Sequence, residues 1–547
     1  MGFCAKHKNP NGHKSWYITL RTLCTLFIMN CTLSVSAQTM VYLEHSETLS
    51  FDQDRIADAQ ILNGNVIFRH DSALMYCDSA YFYEGTNSLD AFGHIRFVQG
   101  DTLQGFCDKL FYDGNTKLAR MRQNVRLVRG RKDENPTVLT TDTLNYDRIT
   151  NIAYYYSGGK VQDSLNILTS VRGNYQPDHN LAVFSMEVLL TNPKFTLSSD
   201  TLRYRTDTKV ADIISPTTIV YEKETTIRSS RGWYNTDNEL SMLLDSSVVE
   251  HADGKSITGD TIYYDKAIGF GQVIGNMAMR DTIQHATLYG EYGEMWEEGS
   301  RGYATDSALM VDWSDSAHIA YIHADTLFTE EIAYPDSLLA MDSTITDSTY
   351  RRVRAFHGVR VFRDDMQMVC DSMVYLGSDS TIYLFTHPIC WSDNQQISAD
   401  SMRLYIVNGA IDHALAIQNA LCVMHDTLDL YNQMGGKEIT AYLIDGEVKL
   451  VDVSGNALTI YYPKEDDGGY IGLNTTESSF IRVYIEDQEI QRLRFTKETN
   501  GVLYPLDQVP ELTDRLANFF WEEDSRPISP EDVFRKVTGE RQLKIKN

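Results

Sequence analysis

Long apolar runs are missing from this chain after its first 37 residues. No later stretch reaches the ~18 apolar residues of a spanning helix. That excludes a helical membrane protein from there on. Proline is scarce, at 12 in 547 residues. Positive charge is short as well: 49 Lys and Arg stand against 75 Asp and Glu, a net charge of −26. A nucleic-acid binder shows a basic face, and the sequence displays none. Catalytic signatures are also lacking. There is no CxxC, no HExxH and no GxSxG. The stretch DGKS at 253–256 ends like a P-loop, but Val249 stands where that motif requires glycine. His70, His94, His251, His285 and His318 show no metal-ligand spacing. No enzyme activity, metal or cofactor is expected.

The first 37 residues differ from the rest. Lys6, Lys8, Lys14 and Arg21 precede the apolar stretch LCTLFIMNCTLSVSA, which ends at Ala37. A basic region, an apolar run and small residues make a secretory signal peptide. Its removal takes away four of the 49 basic residues and leaves 45 against 75 acids, near −30. The mature chain is expected to be soluble, exported and periplasmic, with association to the outer membrane an open alternative. Five cysteines follow: Cys77, Cys107, Cys370, Cys390 and Cys422. An odd number cannot all pair within one chain. Cys77 and Cys107 share a slot of successive repeats, so a disulfide between them and two free buried thiols are both open readings.

What is present is strand-forming residues and a repeat. Hydrophobic residues make up 42%, with 32 Tyr and 21 Phe, enough to build a core. Thr, Val, Ile and Tyr are frequent, which favours strands. The phrase CDSAYFY at 77–83 returns as CDKLFYD, TDTLNYD, SDTLRYR, GDTIYYD, CDSMVYL and ADSMRLY. Its aspartates fall at 78, 108, 142, 200, 260, 306, 371, 400 and 426, often about 30 or twice 30 residues apart. ILTSVRGNY around Ser170 and IRSSRGWYN around Ser230 keep the shape without the acid. Such a period signals a stacked array.

Apolar residues sit at odd offsets before each Asp and at even offsets after it. A straight strand keeps one parity, so a bend or bulge is expected at the Asp-Ser/Thr pair. The Asp column reads as a structural corner rather than as catalytic carboxylates or a cation ladder. Between the phrases lie Gly- or Asn-led strands such as NGNVIF, FGHIRFV, RQNVRLV, IGNMAM and HGVRVF. Each unit then reads as about four short strands, one wrap of a β-roll or β-jellyroll. The fold class is an all-β repeated solenoid with a small α/β C-terminal region. The inward residues are Leu110, Tyr112, Leu144, Tyr146, Leu202, Tyr204, Ile262, Tyr264, Met373, Tyr375, Met402 and Leu404. They form either a filled core or an open trough for an apolar ligand.

The ordered series of G-N-V strands and A-D-[ST]-Leu-x-Tyr phrases resembles the OstA-like domain of the lipopolysaccharide-transport machinery. Gly64–Phe68, the Asp78 phrase and Gly93–Val98 give one such unit, and the pattern recurs to about Tyr461. The resemblance implies a β-jellyroll with a splayed groove along which lipid A acyl chains move toward the outer membrane. It makes the inward residues candidate lipid-binding positions. It implies lipopolysaccharide and other transport components at both membranes as partners, end-to-end self-association, and no nucleic acid. The other reading is a secreted β-solenoid scaffold, adhesin or glycan-binding protein with a filled core.

The expected layout is 1–37 signal peptide, 38–328 first stack, 329–351 acidic loop, 352–461 second stack and 462–547 a capping or docking region. In the last, 478–495 alternates like strands. Leu512, Leu516, Phe519 and Phe520 fall at helical spacing. Phe519, Phe520 and Trp521 are candidate docking residues.

Overall fold

The computed structural model describes residues 40–536, apart from 71, 131–135, 336–347 and the single positions 428, 445, 466 and 488. The expected signal peptide lies outside the described residues. All strands join one antiparallel sheet, so the chain is all-β as expected. From Gln60 the strands Gln60–His70, Ala73–Tyr83, Ser88–Gln99, Leu103–Asp113, Leu118–Arg129 and Thr137–Asp147 pair in chain order. The repeat unit is therefore two long bent strands. On this span the expected four-strand wrap is corrected, because the ladder runs through the corner; at Asp306 and Asp400 the strands do end there, Arg301–Thr305 before Leu309–Asp312 and Gln395–Ser398 before Ser401–Val407.

The bend sits where parity changes. In Ala73–Tyr83 the buried residues are Cys77, then Ala80 and Phe82. The neighbouring strand Ser88–Gln99 holds one extra residue at the same level, between Phe92 and Ile95. Gly93 and His94 both take positive φ there, 75° and 42°. This is a β-bulge, and it re-aims the strand. Glycine suits position 93, where φ is 75° and a Cβ would stand 2.3 Å from the Asp78 carboxylate unless that side chain moved. The two copies without Asp are strands split at the corner. They are Ile167–Ser170 with Arg172–Gln176, and Thr225–Ser229 with Arg231–Asn235. Ser170 and Ser229 bridge the gap by donating to the Arg172 and Arg231 carbonyls at 2.9 and 2.8 Å.

The bend folds the sheet over itself, so the inner residues of the two halves touch. Phe68 meets Phe82 at 5.7 Å between ring centroids, and Phe195 meets Tyr234 at 5.3 Å. One continuous apolar core runs from Val41 to Ile485. Burial of this kind contributes ~25 cal/mol per Å2 of apolar surface, and it is the main force holding the halves together.

Three expected boundaries look different in the structure. The acidic segment is narrower than 329–351, since Thr326–Ala333 and Thr349–Phe362 are paired strands; residues 336–347 fall outside the described residues. The array does not stop near 461. Glu447–Tyr461 pairs with Leu473–Glu486, which pairs with Glu489–Thr496 and Asn500–Tyr504. The expected helix through Leu512 and Phe520 is not formed. Residues 505–535 are turns and short 3-10 segments, and Leu512 is 90% exposed with φ 64°.

The reason is visible in the sheet. Gln433 accepts from the Leu516 amide and donates to the Asp514 carbonyl, both at 2.9 Å. Gln396 accepts from the Glu522 amide at 2.8 Å and donates to the Phe520 carbonyl at 3.0 Å. These fully buried side chains take backbone groups that a helix would pair internally. The segment becomes a strap across the outer face of the sheet.

Candidate functional site

The site is built from one row of the inner face. Tyr112, Ala119, Tyr146, Ala153, Tyr175, Ala182, Tyr204, Ala211, Tyr234, Ser241, Tyr264 and Gly271 are successive cross-strand partners. Met295, Gly302 and Thr329 continue the row. Strands lie ~4.8 Å apart, so the tyrosines recur about every 10 Å with a small residue between them. The phrase revealed the tyrosines. The small residues lie on the intervening strands, in no repeated phrase, and sequence reasoning missed them.

The twelve inward candidates divide by burial. Leu110, Tyr112, Leu144, Leu202, Ile262, Met373, Met402 and Leu404 are buried. Tyr146, Tyr204, Tyr264 and Tyr375 are half-buried. All twelve lie on the inner side of the bend. Buried side chains run along the whole interior. In the middle it opens into a cavity of about 410 Å3. The opening falls where the row's small residues become Ser241, Gly271 and Gly302. Ile219, Leu243, Ile262, Val273, Leu288 and Met310 line it with apolar surface. Of the twelve candidates, Ile262 and Tyr264 line this cavity.

Polar groups stand at its edge. The Tyr264 hydroxyl donates to the Glu297 carboxylate, which also accepts from Lys266 at 3.1 Å. Partial burial raises the Glu297 carboxyl, and these two hydrogen bonds outweigh it, leaving the group below its ordinary value. Burial, reinforced by the Glu297 bond, pushes the Tyr264 phenol up. The Tyr234 hydroxyl is buried against the cavity with no hydrogen-bond partner, and burial raises its phenol too. An unpaired buried hydroxyl costs about 1–3 kcal/mol, so Tyr234 offers a ready donor to a carbonyl or hydroxyl entering the cavity. Arg351 points inward and crosses to the facing half. Its Nε donates to Thr329 Oγ1 at 3.3 Å and its Nη1 to the Gln284 carbonyl at 3.4 Å.

The Asp column stands apart from this interior. Asp78, Asp108, Asp260 and Asp400 carry corner hydrogen bonds from His94, Asn124, Asn276 and Asn419. The structure thus gives the column a corner role. Among the described residues, His318, Asp364 and Asp365 come within metal-binding reach of one another. Asp365 is already held by the Arg363 guanidinium at 2.8 and 2.7 Å, and His318 by Asp364 at 2.7 Å.

The docking candidates Phe519, Phe520 and Trp521 lie on the strap. Phe520 packs on Val369, Ile389 and Trp391. Phe519 and Trp521 both face Tyr431, at 5.4 and 5.8 Å. Their aromatic surface is thus engaged within the chain. Cys77 and Cys107 are free, buried thiols. The strand Ser88–Gln99 runs between their strands, so the two repeats are not edge neighbours and the disulfide reading falls.

The OstA-like protein family model matches residues 38–200. The resemblance drawn from the repeated phrase is therefore shown for that span. A search of curated proteins finds no match. The cavity lies beyond the matched span, its lining beginning at Ile219.

Proposed function

We propose that this chain is a non-enzymatic periplasmic carrier of lipopolysaccharide. It takes acyl chains between the two halves of the bent sheet and passes them toward the outer membrane, together with other transport components at both membranes. One observation carries the reading: the inner face opens into an apolar cavity of about 410 Å3, of the size range that holds small apolar ligands. The OstA-like match over residues 38–200 supports the same class of function. The unpaired Tyr234 hydroxyl suits an ester or amide carbonyl of an acyl chain. The net charge of −26 disfavours a phosphate-led contact and favours one through the chains.

The two ends of the array fit docking. Among the described residues, Val41–His45 and Thr48–Phe51 each pair on one side only, as does Asn500–Tyr504. Leu49, Phe51 and Leu503 are more than half exposed, at 55%, 57% and 52%. Open edges invite strand addition from a partner or a second copy.

A filled-core secreted scaffold is the second reading, favoured by the close packing at Leu144, Leu202 and Met402. A photo-reactive benzophenone amino acid at Tyr264 or Met279 separates the two, with exposed Arg203 as the outward control. The chain is expressed in a lipopolysaccharide-producing cell. Lipopolysaccharide adducts at Tyr264 and Met279, and none at Arg203, are the expected result. Folded, exported protein without adducts at either lining position leaves the scaffold.

A further inference from the structure

The sequence displays no basic face, yet the outer side of the first strands holds one. Tyr76, Arg96, Phe106, Arg126, Thr140 and Lys160 are successive cross-strand partners. Aromatic and cationic side chains alternate along the first four positions. Tyr76, Arg96, Arg126, Thr140 and Lys160 are exposed. The Arg126 guanidinium lies 5.6 Å from the Phe106 ring centroid. The adjacent row on the same face is Leu74, Val98, Gln104, Val128, Val138 and Gln162. Neither row contains an acid. Asp78, Asp108 and Asp142 stand at the corner, and the first two are bonded to His94 and Asn124.

Cations elsewhere on this face are treated differently. Arg69 is paired with Glu44 at 2.6 Å and Arg228 with Glu250 at 2.5 Å. Arg96, Arg126 and Lys160 have no ion pair among the described residues. In a chain of net charge −26, three unpaired cations in one line are a local reversal of sign. Screening limits the surrounding negative charge to ~8 Å at physiological salt, so the row acts as its own field.

Beyond Lys160 the same row runs through Thr169, Leu189, Ser198 and Thr218. These four, with Glu187 and Pro216, line a shallow depression. The cationic line thus leads into a hydroxyl-bearing hollow.

We propose that this outer row binds an acidic polysaccharide lying across the strands, whatever occupies the inner groove. Arginine forks pair with carboxylate or sulfate groups on such a chain. Tyr76 and Phe106 offer rings to the apolar faces of sugars. Strand spacing of ~4.8 Å brings a new side chain up at intervals close to the advance of one sugar ring. Thr169, Ser198 and Thr218 supply hydroxyl partners further along. A bilayer surface fits less well, because Leu74, Val98, Val128 and Val138 are half-buried and leave little apolar area to insert.

The test uses the full chain, purified after export. Retention is measured on immobilised polygalacturonate and dextran sulfate, on neutral dextran, and on vesicles containing anionic phospholipid. Binding to at least one acidic polysaccharide, weakened by salt, and none to neutral dextran is expected. The triple variant R96Q/R126Q/K160Q should lose about tenfold in affinity with an unchanged melting temperature. F106A should weaken binding while leaving the salt dependence as it was. R228Q, altered at a paired arginine of the same row, should bind as before. Equal binding by the triple variant overturns the proposal. So does retention on neutral dextran, retention on vesicles alone, or no retention on either acidic polysaccharide.

Discussion

The side-chain amide of Asn124 donates to the Asp108 carboxylate at 2.6 Å, across 16 residues of chain. The same separation joins His94 to Asp78 and Asn276 to Asp260, each at 2.7 Å. Two motifs that look independent in the sequence, the Asp phrase and the Asn-led strand, are thus the two sides of one corner. The Asp strand changes parity there, and its neighbour inserts the extra left-handed residue.

Asn124 has φ 51°, where most L residues are strained. Asn124→Ala therefore loses both the hydrogen bond and a residue that tolerates the backbone. Asp108→Ala loses the bond alone, about 1 kcal/mol. The alanine at 124 should cost roughly twice that. Denaturant unfolding of the two single variants and the double variant measures this. Equal destabilisation by both single changes would show that the backbone conformation carries none of the corner's cost.

Much of this architecture was legible in advance because the corner changes sequence parity. Cys77, Ala80 and Phe82 showed the flip, and the serine-centred copies at 170 and 229–230 are corners as well. Strand length was not legible. At Asp78, Asp108 and Asp142 the ladder runs through the bend and makes one long strand, while at Ser170, Ser229, Asp306 and Asp400 it breaks into the two short ones expected. The strap was hidden for another reason. Leu512, Leu516, Phe519 and Phe520 have helical spacing, and only the buried Gln396 and Gln433 of distant strands override it. The cavity was invisible because it depends on Gly271 and Gly302, which belong to no phrase. The cationic row was masked by the acidic total, since Arg96, Arg126 and Lys160 are far apart in sequence.

Gly271 and Gly302 keep the cavity open. A Cβ at Gly271 would stand 2.7 Å from Met295 Cγ, and one at Gly302 3.1 Å from Thr329 Cγ2. The double change to alanine should displace Met295 and narrow the space. Stability should fall by about 1–2 kcal/mol. Adduct yield from a benzophenone at Met279 should drop several-fold. A yield equal to that of the parent chain would mean that ligand does not occupy this part of the groove.

The five cysteines beyond residue 37 are free and buried. Burial, with a smaller push from Asp78 and Asp108, raises Cys77 and Cys107 to about 12. Burial alone raises Cys422 to about 12. The thiolate is the reactive form, so these thiols should resist a disulfide reagent at pH 8 while the protein is folded. In a chain that starts at Gln38, mass spectrometry should count no labels in the native state and five after denaturation. Three labels after denaturation without reductant would reveal a disulfide.

Gln396 holds the strap at two points and is itself held by the sheet at a third. It donates to the Phe520 carbonyl and accepts from the Glu522 amide and, at 3.2 Å, from Trp391 Nε1. Gln396→Ala leaves those groups without partners in a buried place, at about 1–3 kcal/mol each before relaxation. The strap should lift while the sheet stays intact. Limited proteolysis should then cut within 505–535 first, leaving a stable fragment. Uniform protection of that segment in the variant would show that Phe520 packing alone is sufficient.

The far end of the strap should loosen in acid. Phe534 packs against His323 with its ring tilted, at 4.7 Å between centroids, and His323 Nδ1 bonds the Ala308 carbonyl at 2.7 Å. Burial holds the imidazole below its ordinary value; the Ala308 bond and Asp325 oppose this, and Arg360 and Lys536 add to it. The unfolded histidine takes a proton near pH 6.5 and the folded one only at lower pH. Above 6.5 the full stability is therefore present. It declines as pH falls from there through the folded value. Hydrogen exchange in 530–535 should be faster at pH 5.5 than at 7.5, relative to an unstructured peptide at each pH. In His323→Gln that excess should vanish. An excess of the same size in the variant would assign the acid response to another group, with the Arg360–Asp532 pair at 3.7 Å the next to examine.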